Sequence, residues 1–175
     1  MKPLQQGELD GLCGCYAVIN AIRFLVPKAR DIEFCNKLMI RIVGDIYTAK
    51  DVTGGGGELK MTRVFEYARA KVLKDLKIGL AMSNKGRANK FATPGHAMEG
   101  TFEAGRPGVF IMGFDGIYSH WTVVPQVTKS DVLLFDSCGL KKFNRNHVIW
   151  AKDARNADRD KMAIVAPADL NWISV

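Results

Sequence analysis

The sequence has no apolar run long enough to cross a membrane. Its longest such stretches, for example residues 109–112, fall far short of the about 20 residues that a spanning helix needs. The first residues also lack the basic-then-apolar order of a secretory signal. We therefore expect a cytoplasmic protein without a membrane partner. Because Gln6 lies so close to Met1, we also expect no propeptide before it.

Cysteine is scarce, with four residues at positions 13, 15, 35 and 138. Cys13 and Cys15 are too close in sequence for an ordinary disulfide, and thiols stay reduced in the cytoplasm. A structural zinc site needs pairs of Cys or His ligands at two separate places, and only one close pair is present here. We expect no disulfide, no metal and no cofactor.

Positive charge exceeds negative charge, with 25 basic and 18 acidic residues and a net charge of +7. A net positive charge would suit binding to an acidic partner or to nucleic acid. However, the basic residues are spread along the chain, without an arginine-rich run or interleaved aromatic residues. This pattern indicates a solvated basic surface and argues against nucleic-acid binding. It gives no indication of the oligomeric state.

The first half of the chain has the apolar spacing of helices. Residues 14–25 form one such stretch, which Pro27 should stop, and residues 61–76 form another. Asp31 has the position of an N-cap for a helix between them. The polar segment from Asn84 to His96 is predicted to be a loop.

The second half has the pattern of short strands, at residues 109–112, 120–124, 132–135 and 164–166. Asp115-Gly116 is a turn signal. Helices followed by antiparallel strands predict a single α+β domain over residues 1–175. Its helical lobe should cover about residues 1–100 and its β lobe about residues 101–175, with a cleft between them.

Cys13 is the candidate nucleophile. It stands where a glycine-containing polar loop runs into the first predicted helix, and the positive end of a helix dipole favours a thiolate. Gly14 leaves room for a substrate to approach the sulfur. Backbone N–H groups at the helix start, together with a glutamine side chain upstream, could bind an oxyanion.

His120 is the candidate base among the three histidines, because it opens a predicted strand. If strands 120–124 and 132–136 form a hairpin centred on Thr128, residues whose numbers sum to 256 lie opposite each other. His120 then faces Asp136, and side chains of directly opposed residues are close enough to interact. Asp136 would orient the imidazole and support its cationic form. Asp131 is a competing acid, but it lies at the turn end of this hairpin.

The order of these residues resembles the papain-like superfamily, and is closest to the bacteriocin-processing (double-glycine) peptidases. The resemblance rests on Gln6, Cys13, Gly14 and Asn20 in the first segment. It rests also on two later segments. The first, His-Trp-Thr-Val-Val, starts at His120, and the second, Leu-Leu-Phe-Asp-Ser, contains Asp136. It covers about residues 5–22 and 109–137. It implies a papain-like fold, attack by Cys13, a covalent acyl-enzyme and an oxyanion hole completed by Gln6.

Two assignments within this resemblance have alternatives. The family usually places its glutamine about six residues before the cysteine, whereas Gln6 precedes Cys13 by seven and Gln5 by eight. We prefer Gln6. Cys15-Tyr16-Ala17 is similar to the Cys-Trp-Ala segment of papain, which would make Cys15 the nucleophile, but its spacing from the glutamines is worse. Asn144 or Asn146 could be the third residue of a papain-type catalytic triad, but no predicted strand register places either of them beside His120.

The candidate substrate contacts are Gly55, Gly56 and Trp121. Backbone groups of a glycine run can pair with an extended substrate, although a glycine run is also typical of a flexible surface loop. Trp121 follows the candidate base directly. We expect a cysteine peptidase that acts on a protein or peptide substrate. The alternatives are a deamidase or transglutaminase-like effector using the same triad, and a papain-fold module that binds a partner without catalysis.

Overall fold

The computed structural model describes residues 1–6, 11–48, 52, 58–84, 93–105, 107–116, 119–156 and 161–175. Gly55 and Gly56 lie outside these residues. Within the described ranges there are four α-helices: α1 (Cys13–Leu25), α2 (Ile32–Ile46), α3 (Glu58–Leu76) and α4 (Pro94–Glu103). The first three correspond to the helices predicted from the apolar spacing.

The boundaries of α1 and α2 follow from single residues. Helix α1 ends at Leu25, two residues before Pro27, as predicted. Pro27 then opens a short 3-10 helix. The carboxylate of Asp31 accepts hydrogen bonds from the backbone N–H groups of Glu33 and Phe34, which confirms Asp31 as the N-cap of α2.

Within the described residues the chain forms eight strands: β1 (Ala81–Asn84), β2 (Gly108–Gly116), β3 (His120–Val127), β4 (Asp131–Phe135), β5 (Lys142–Asn144), β6 (Val148–Trp150), β7 (Ala163–Val165) and β8 (Leu170–Ser174). The main path through the sheet is β1-β8-β2-β3-β4-β5, and every pair along it is antiparallel. Strand β7 pairs with the end of β2 and lies parallel to β6. The predicted α+β class is confirmed.

Both faces of the sheet are covered, which explains why β2 is buried from Val109 to Phe114. Side chains at alternate positions enter two different apolar clusters. Val109 and Ile111 pack with α1, α2 and α3. Phe110 and Met112 pack with α4, β6 and β7. Helix α1 therefore packs on the face of the sheet that carries Val109 and Ile111.

Three predicted boundaries differ from the structure. Strand β1 lies within the half predicted to be helical, yet it pairs with the C-terminal strand β8. The predicted loop from Asn84 to His96 is wrong at both ends, because Asn84 ends β1 and Pro94 begins α4. Residues 85–92 of this prediction lie outside the described residues. Thr93 is the N-cap and accepts from the His96 N–H. The predicted turn at Asp115-Gly116 belongs to β2.

The predicted register between β3 and β4 is also wrong. Val123 pairs with Phe135, and Val127 pairs with Val132, with an irregularity between Val123 and Gln126. The pairs therefore sum to 258 or 259 instead of 256. A bulge adds residues to one strand without changing its partner, and this shifts the remaining pairs along the ladder.

None of the described helices has the length and apolar character needed to span a membrane. All four cysteines lie in the described ranges, and none is in a disulfide.

Candidate active site

Cys13 is the first residue of α1 and is half-buried. The N-cap, Leu12, makes no side-chain cap, and the first turn carries no acidic residue. The first N–H groups of an α-helix have no partners within the helix, and they carry its positive partial charge. The thiol therefore lies at a helix end that favours a negative charge on sulfur or on a bound oxygen.

His120 is the first residue of β3 and pairs with Phe114 of β2. Its side chain is buried, and the Phe114 ring meets it edge-on with the ring centres 5.8 Å apart. His120 Nε2 lies 2.7 Å from Asp136 Oδ1. The predicted contact between His120 and Asp136 is therefore present.

Asp136 is held from both sides. Its Oδ1 contacts the imidazole, and its Oδ2 accepts hydrogen bonds from the backbone N–H groups of Cys138 (2.8 Å) and Leu140 (3.2 Å). The side chain is fully buried. A carboxylate bound in this way cannot rotate freely, so it fixes the plane of the imidazole and keeps a proton on Nε2.

The electrostatics favour a cationic imidazole. Burial lowers the pKa of His120, but hydrogen bonds to the side chains of Asp136 and Cys13 outweigh burial and raise this pKa to about 9. Burial works against ionised Asp136, yet hydrogen bonds from His120 and the Cys138 N–H prevail and hold its pKa below the usual range. Cys13 thus interacts with the same imidazole that Asp136 orients. Since Nε2 is held by Asp136, Nδ1 is the nitrogen that remains for a thiol.

The observed register explains why His120 and Asp136 are in contact although their predicted register was wrong. If the pairing of Val123 with Phe135 is continued past the end of β4, His120 comes opposite Cys138, and Asp136 lies two residues away on the same side. A shift of two residues keeps every side chain on its own face, whereas a shift of one would reverse it. Diagonal neighbours on one face remain within reach of long side chains.

Both candidate glutamines lie beside the turn that follows Asp136. The Gln6 N–H donates to Ser137 O at 2.9 Å, and Gln6 Oε1 lies 3.7 Å from Cys138 Sγ. Gln5 Nε2 lies 3.4 Å from Asp136 O. The Gln6 side chain is therefore the one next to the thiol of Cys138, while Gln5 is exposed and contacts the backbone of Asp136.

Asn20 anchors the N-terminal segment to α1. Its side chain is buried, with Oδ1 accepting from the Leu4 N–H at 2.8 Å and Nδ2 donating to Leu4 O at 3.1 Å. Arg23, one turn further along the helix, donates to Lys2 O at 3.2 Å. Asn20 thus fixes the segment that carries Gln6.

Cys138 is the residue at this site that the sequence analysis missed. Its exposed thiol lies 3.9 Å from His120 Nδ1. Its proximity depends on the shifted register, which composition and spacing do not reveal. The available signal was its position two residues after Asp136, where a diagonal neighbour on the same face would lie.

Trp121 has a packing position. It is only 7% exposed, lies in the core and is stacked against two glycines. A methyl group added at Gly14 would lie 3.7 Å from its ring, and one added at Gly113 would lie 2.9 Å from it. Gly14 is therefore close to both Trp121 and Met61, and its lack of a side chain serves packing beneath Cys13.

The remaining candidates have other contacts. Cys15 is buried with its thiol 3.1 Å from Met39 Sδ, as expected for a packing residue. Asp131 pairs with Lys142 at 3.1 Å, at the turn end of the hairpin. Asn144 accepts from the Asn146 N–H at the start of a 3-10 helix.

In comparisons with protein-family models, curated proteins and solved structures, no significant match to this chain was found. The candidate site therefore rests on its own geometry.

Proposed function

We propose that this protein is a cysteine hydrolase with a papain-like arrangement, and that it is a peptidase. The observation that carries the proposal is the contact of 2.7 Å between His120 Nε2 and Asp136 Oδ1. Cys13 acts on the same imidazole, because it contributes to the raised pKa of His120. We assign Cys13 as the nucleophile, His120 as the base and Asp136 as the residue that orients the base. The cytoplasm, where thiols remain reduced, is the compartment that suits this chemistry.

The proposed reaction begins with the Cys13 thiolate attacking a peptide carbonyl carbon. The negative charge on the carbonyl oxygen is stabilised by the backbone N–H of Cys13 and by the Gln6 side chain amide. His120 gives the proton on Nδ1 to the leaving amine as the C–N bond breaks, which leaves an acyl group on Cys13. Water then attacks this thioester while Nδ1 takes its proton, and the acid product leaves with the thiolate restored. Throughout, Asp136 holds Nε2.

The positions of Cys13, His120 and Asp136 in the fold support the proposed hydrolase. In α1 the nucleophile is at the helix start, and the base and its orienting carboxylate come from the antiparallel strands β3 and β4. The buried carboxylate has a lowered pKa and the imidazole a raised one, as in a buried ion pair, and perturbed pKa values cluster at functional sites.

The experiment is to trap the acyl-enzyme with an activated ester, p-nitrophenyl acetate. We expect a burst of nitrophenolate equal to the enzyme concentration, and one acetyl group on the Cys13 peptide by mass spectrometry. Cys13→Ser and His120→Ala should abolish the burst. Cys35→Ser is the matched control, because Cys35 is buried away from His120 and its thiol donates to Ala29 O, a bond that serine can keep.

A second step identifies the reaction class. The protein is incubated with a peptide mixture rich in glutamine, and the products are read by mass spectrometry. Cleaved peptides that depend on Cys13 support the peptidase. Conversion of glutamine to glutamate, or cross-linking to an amine, would instead support the deamidase or transglutaminase chemistry. No acylation of Cys13 at all would contradict the proposal.

A further inference from the structure

The turn that follows β4 holds the Gln6 side chain by its carboxamide oxygen. Gln6 Oε1 lies 3.5 Å from Ser137 Oγ and 3.7 Å from Cys138 Sγ. The backbone joins the same two segments, because the Gln6 N–H donates to Ser137 O at 2.9 Å. Ser137 is only 3% exposed, and a buried hydroxyl needs a hydrogen-bond partner. Gln6 Oε1 provides that partner.

The charge on the neighbouring imidazole favours the oxygen end of this carboxamide at the turn. Cys138 Sγ lies 3.9 Å from His120 Nδ1, and the ion pair with Asp136 keeps His120 cationic. A cationic imidazole carries hydrogens on both ring nitrogens, so Nδ1 cannot accept from the Cys138 thiol. The thiol hydrogen is therefore directed to Gln6 Oε1. A reversed carboxamide would remove this acceptor and would turn the positive end of the amide dipole towards the imidazolium.

The other candidate glutamine is bound in the opposite sense. Gln5 Nε2 lies 3.4 Å from Pro3 O and 3.4 Å from Asp136 O, so its NH₂ group faces backbone oxygens. An oxyanion needs an N–H donor. In Gln6 the oxygen faces the turn, and Nε2 is on the other branch of the planar carboxamide. Gln6 is therefore the glutamine whose NH₂ group is directed away from the turn.

We propose that Ser137 and Cys138 are positioning residues for Gln6: both donate to its carboxamide oxygen, and this presents its NH₂ group to the oxyanion. The inference rests on the proposed function, in which Gln6 donates to the oxygen of the attacked carbonyl. Neither positioning residue touches the substrate. This role also explains why a second thiol lies beside His120 although Cys13 is the nucleophile.

The test compares two reactions of Cys13, both followed on its peptide by mass spectrometry. p-Nitrophenyl acetate is attacked at a carbonyl, whereas iodoacetamide is attacked at its CH₂ group, without an oxyanion. Gln6→Ala should slow acylation by about 10²- to 10³-fold, the cost of one lost oxyanion donor, and should leave alkylation unchanged. Ser137→Ala and Cys138→Ala should each slow acylation by about 3- to 10-fold, as expected for one lost neutral hydrogen bond. Cys138→Ser should keep most of the rate, because a hydroxyl can still donate.

The combination with Gln6→Ala separates positioning from a general structural effect. If Ser137 and Cys138 act only through the Gln6 amide, their alanine substitutions should cause no further loss of acylation once Gln6 is alanine. A structural effect would slow acylation in both backgrounds and would slow alkylation as well. Cys35→Ala is the matched control, because it also removes a thiol hydrogen bond to a carbonyl oxygen, that of Ala29 at 3.2 Å. It should leave acylation unchanged.

NMR reads the orientation of the carboxamide without any activity. The nuclear Overhauser effects from the Gln6 NH₂ hydrogens to the Cys138 Hβ atoms should be weak, and strong ones would show a reversed carboxamide and overturn the inference. Equal losses with and without Gln6→Ala would also overturn it, while the hydrolase proposal would stand. If p-nitrophenyl acetate never acylates Cys13 in the unchanged protein, the hydrolase and the oxyanion role fail together, and NMR still decides how the turn holds Gln6.

Discussion

His120 Nε2 and Asp136 Oδ1 lie 2.7 Å apart, although the two residues are not opposite each other in the sheet. Asp136 reaches the imidazole from beyond the end of β4, and its second oxygen is fixed by the N–H groups of Cys138 and Leu140. The carboxylate thus orients the His120 imidazole and closes the turn that carries Cys138. Changes at Asp136 should therefore affect the base through its tautomer.

Asp136→Asn should greatly reduce acylation of Cys13 while the protein stays folded. The N–H groups of Cys138 and Leu140 require an oxygen on their side, so the asparagine must turn its NH₂ towards His120 Nε2. Nε2 then has to accept, and the neutral ring carries its proton on Nδ1, where it cannot take one from the nucleophile. By analogy with the wrong-tautomer effect in serine triads, we expect a loss of about 10³-fold or more in the acylation rate.

This prediction is checked by the initial rate with p-nitrophenyl acetate, with far-ultraviolet circular dichroism as the folding control. An acylation rate close to that of the unchanged protein would show that Asp136 does not set the tautomer.

The pKa of His120 should be measurable as a pH dependence of stability. A pKa raised from 6.5 to about 9 means that the folded protein binds the imidazole proton more tightly than the unfolded chain. This contribution, roughly 3 kcal/mol, is fully present below about pH 6.5 and is lost as the pH rises through about 9. Urea unfolding between these pH values should show the loss, and the Asp136→Asn variant should show much less of it. An NMR titration of the His120 ring gives the pKa directly, and a value near 6.5 would contradict the ion pair.

Asn20→Ala should release the N-terminal segment. The variant loses two hydrogen bonds to Leu4 and should be destabilised by about 1–2 kcal/mol. Because Gln6 follows on the same segment, its amide should exchange hydrogen faster, and acylation of Cys13 should slow as the oxyanion donor is lost. Asn36→Ala, on the exposed surface of α2, is the matched control. Unchanged exchange at Gln6 would show that Asn20 does not position it.

Two glycine substitutions should have opposite effects on stability. Gly113→Ala would place a methyl group 2.9 Å from three atoms of the Trp121 ring, and such overpacking costs about 1–3 kcal/mol. Gly44→Ala, in α2, meets nothing within 4 Å and should stabilise the protein by about 0.5–1 kcal/mol through helix propensity. Denaturant unfolding measures both. Equal stability of the two variants would contradict the packing of Trp121 against Gly113.

Local signals in the sequence were sufficient for the first three helices and for the contact between His120 and Asp136. Pro27 acts through its ring and Asp31 through its side-chain carboxylate, and both act on backbone groups close by in the sequence. They therefore specify locally where α1 ends and α2 begins. Thr93 and Pro94 carry the same kind of signal for α4. This helix signal was missed because the glycines and polar residues around Thr93 and Pro94 favour a loop.

The pairing of strands could not be predicted from local sequence signals in the same way. The bulge between Val123 and Gln126 depends on the whole sheet, so the exact partner of His120 was mispredicted even though its face was right. The place of Cys138 follows from that register. Strand β1 pairs with β8, about half of the chain away in sequence, and nothing local to Ala81–Asn84 indicates this partner.

The rate of Cys13 alkylation tests the central claim most directly. The unchanged protein and His120→Ala are treated with iodoacetamide at about pH 6, where ordinary thiols are almost entirely protonated, and each cysteine is followed by peptide mass spectrometry. A Cys13 thiolate paired with the imidazolium should react about 10- to 100-fold faster than Cys13 in His120→Ala, after allowing for the lower nucleophilicity of such thiolates. Cys13 should also react faster than the more exposed Cys138. If Cys13 reacts no faster than Cys138, or if His120→Ala leaves its rate unchanged, Cys13 is not an activated nucleophile.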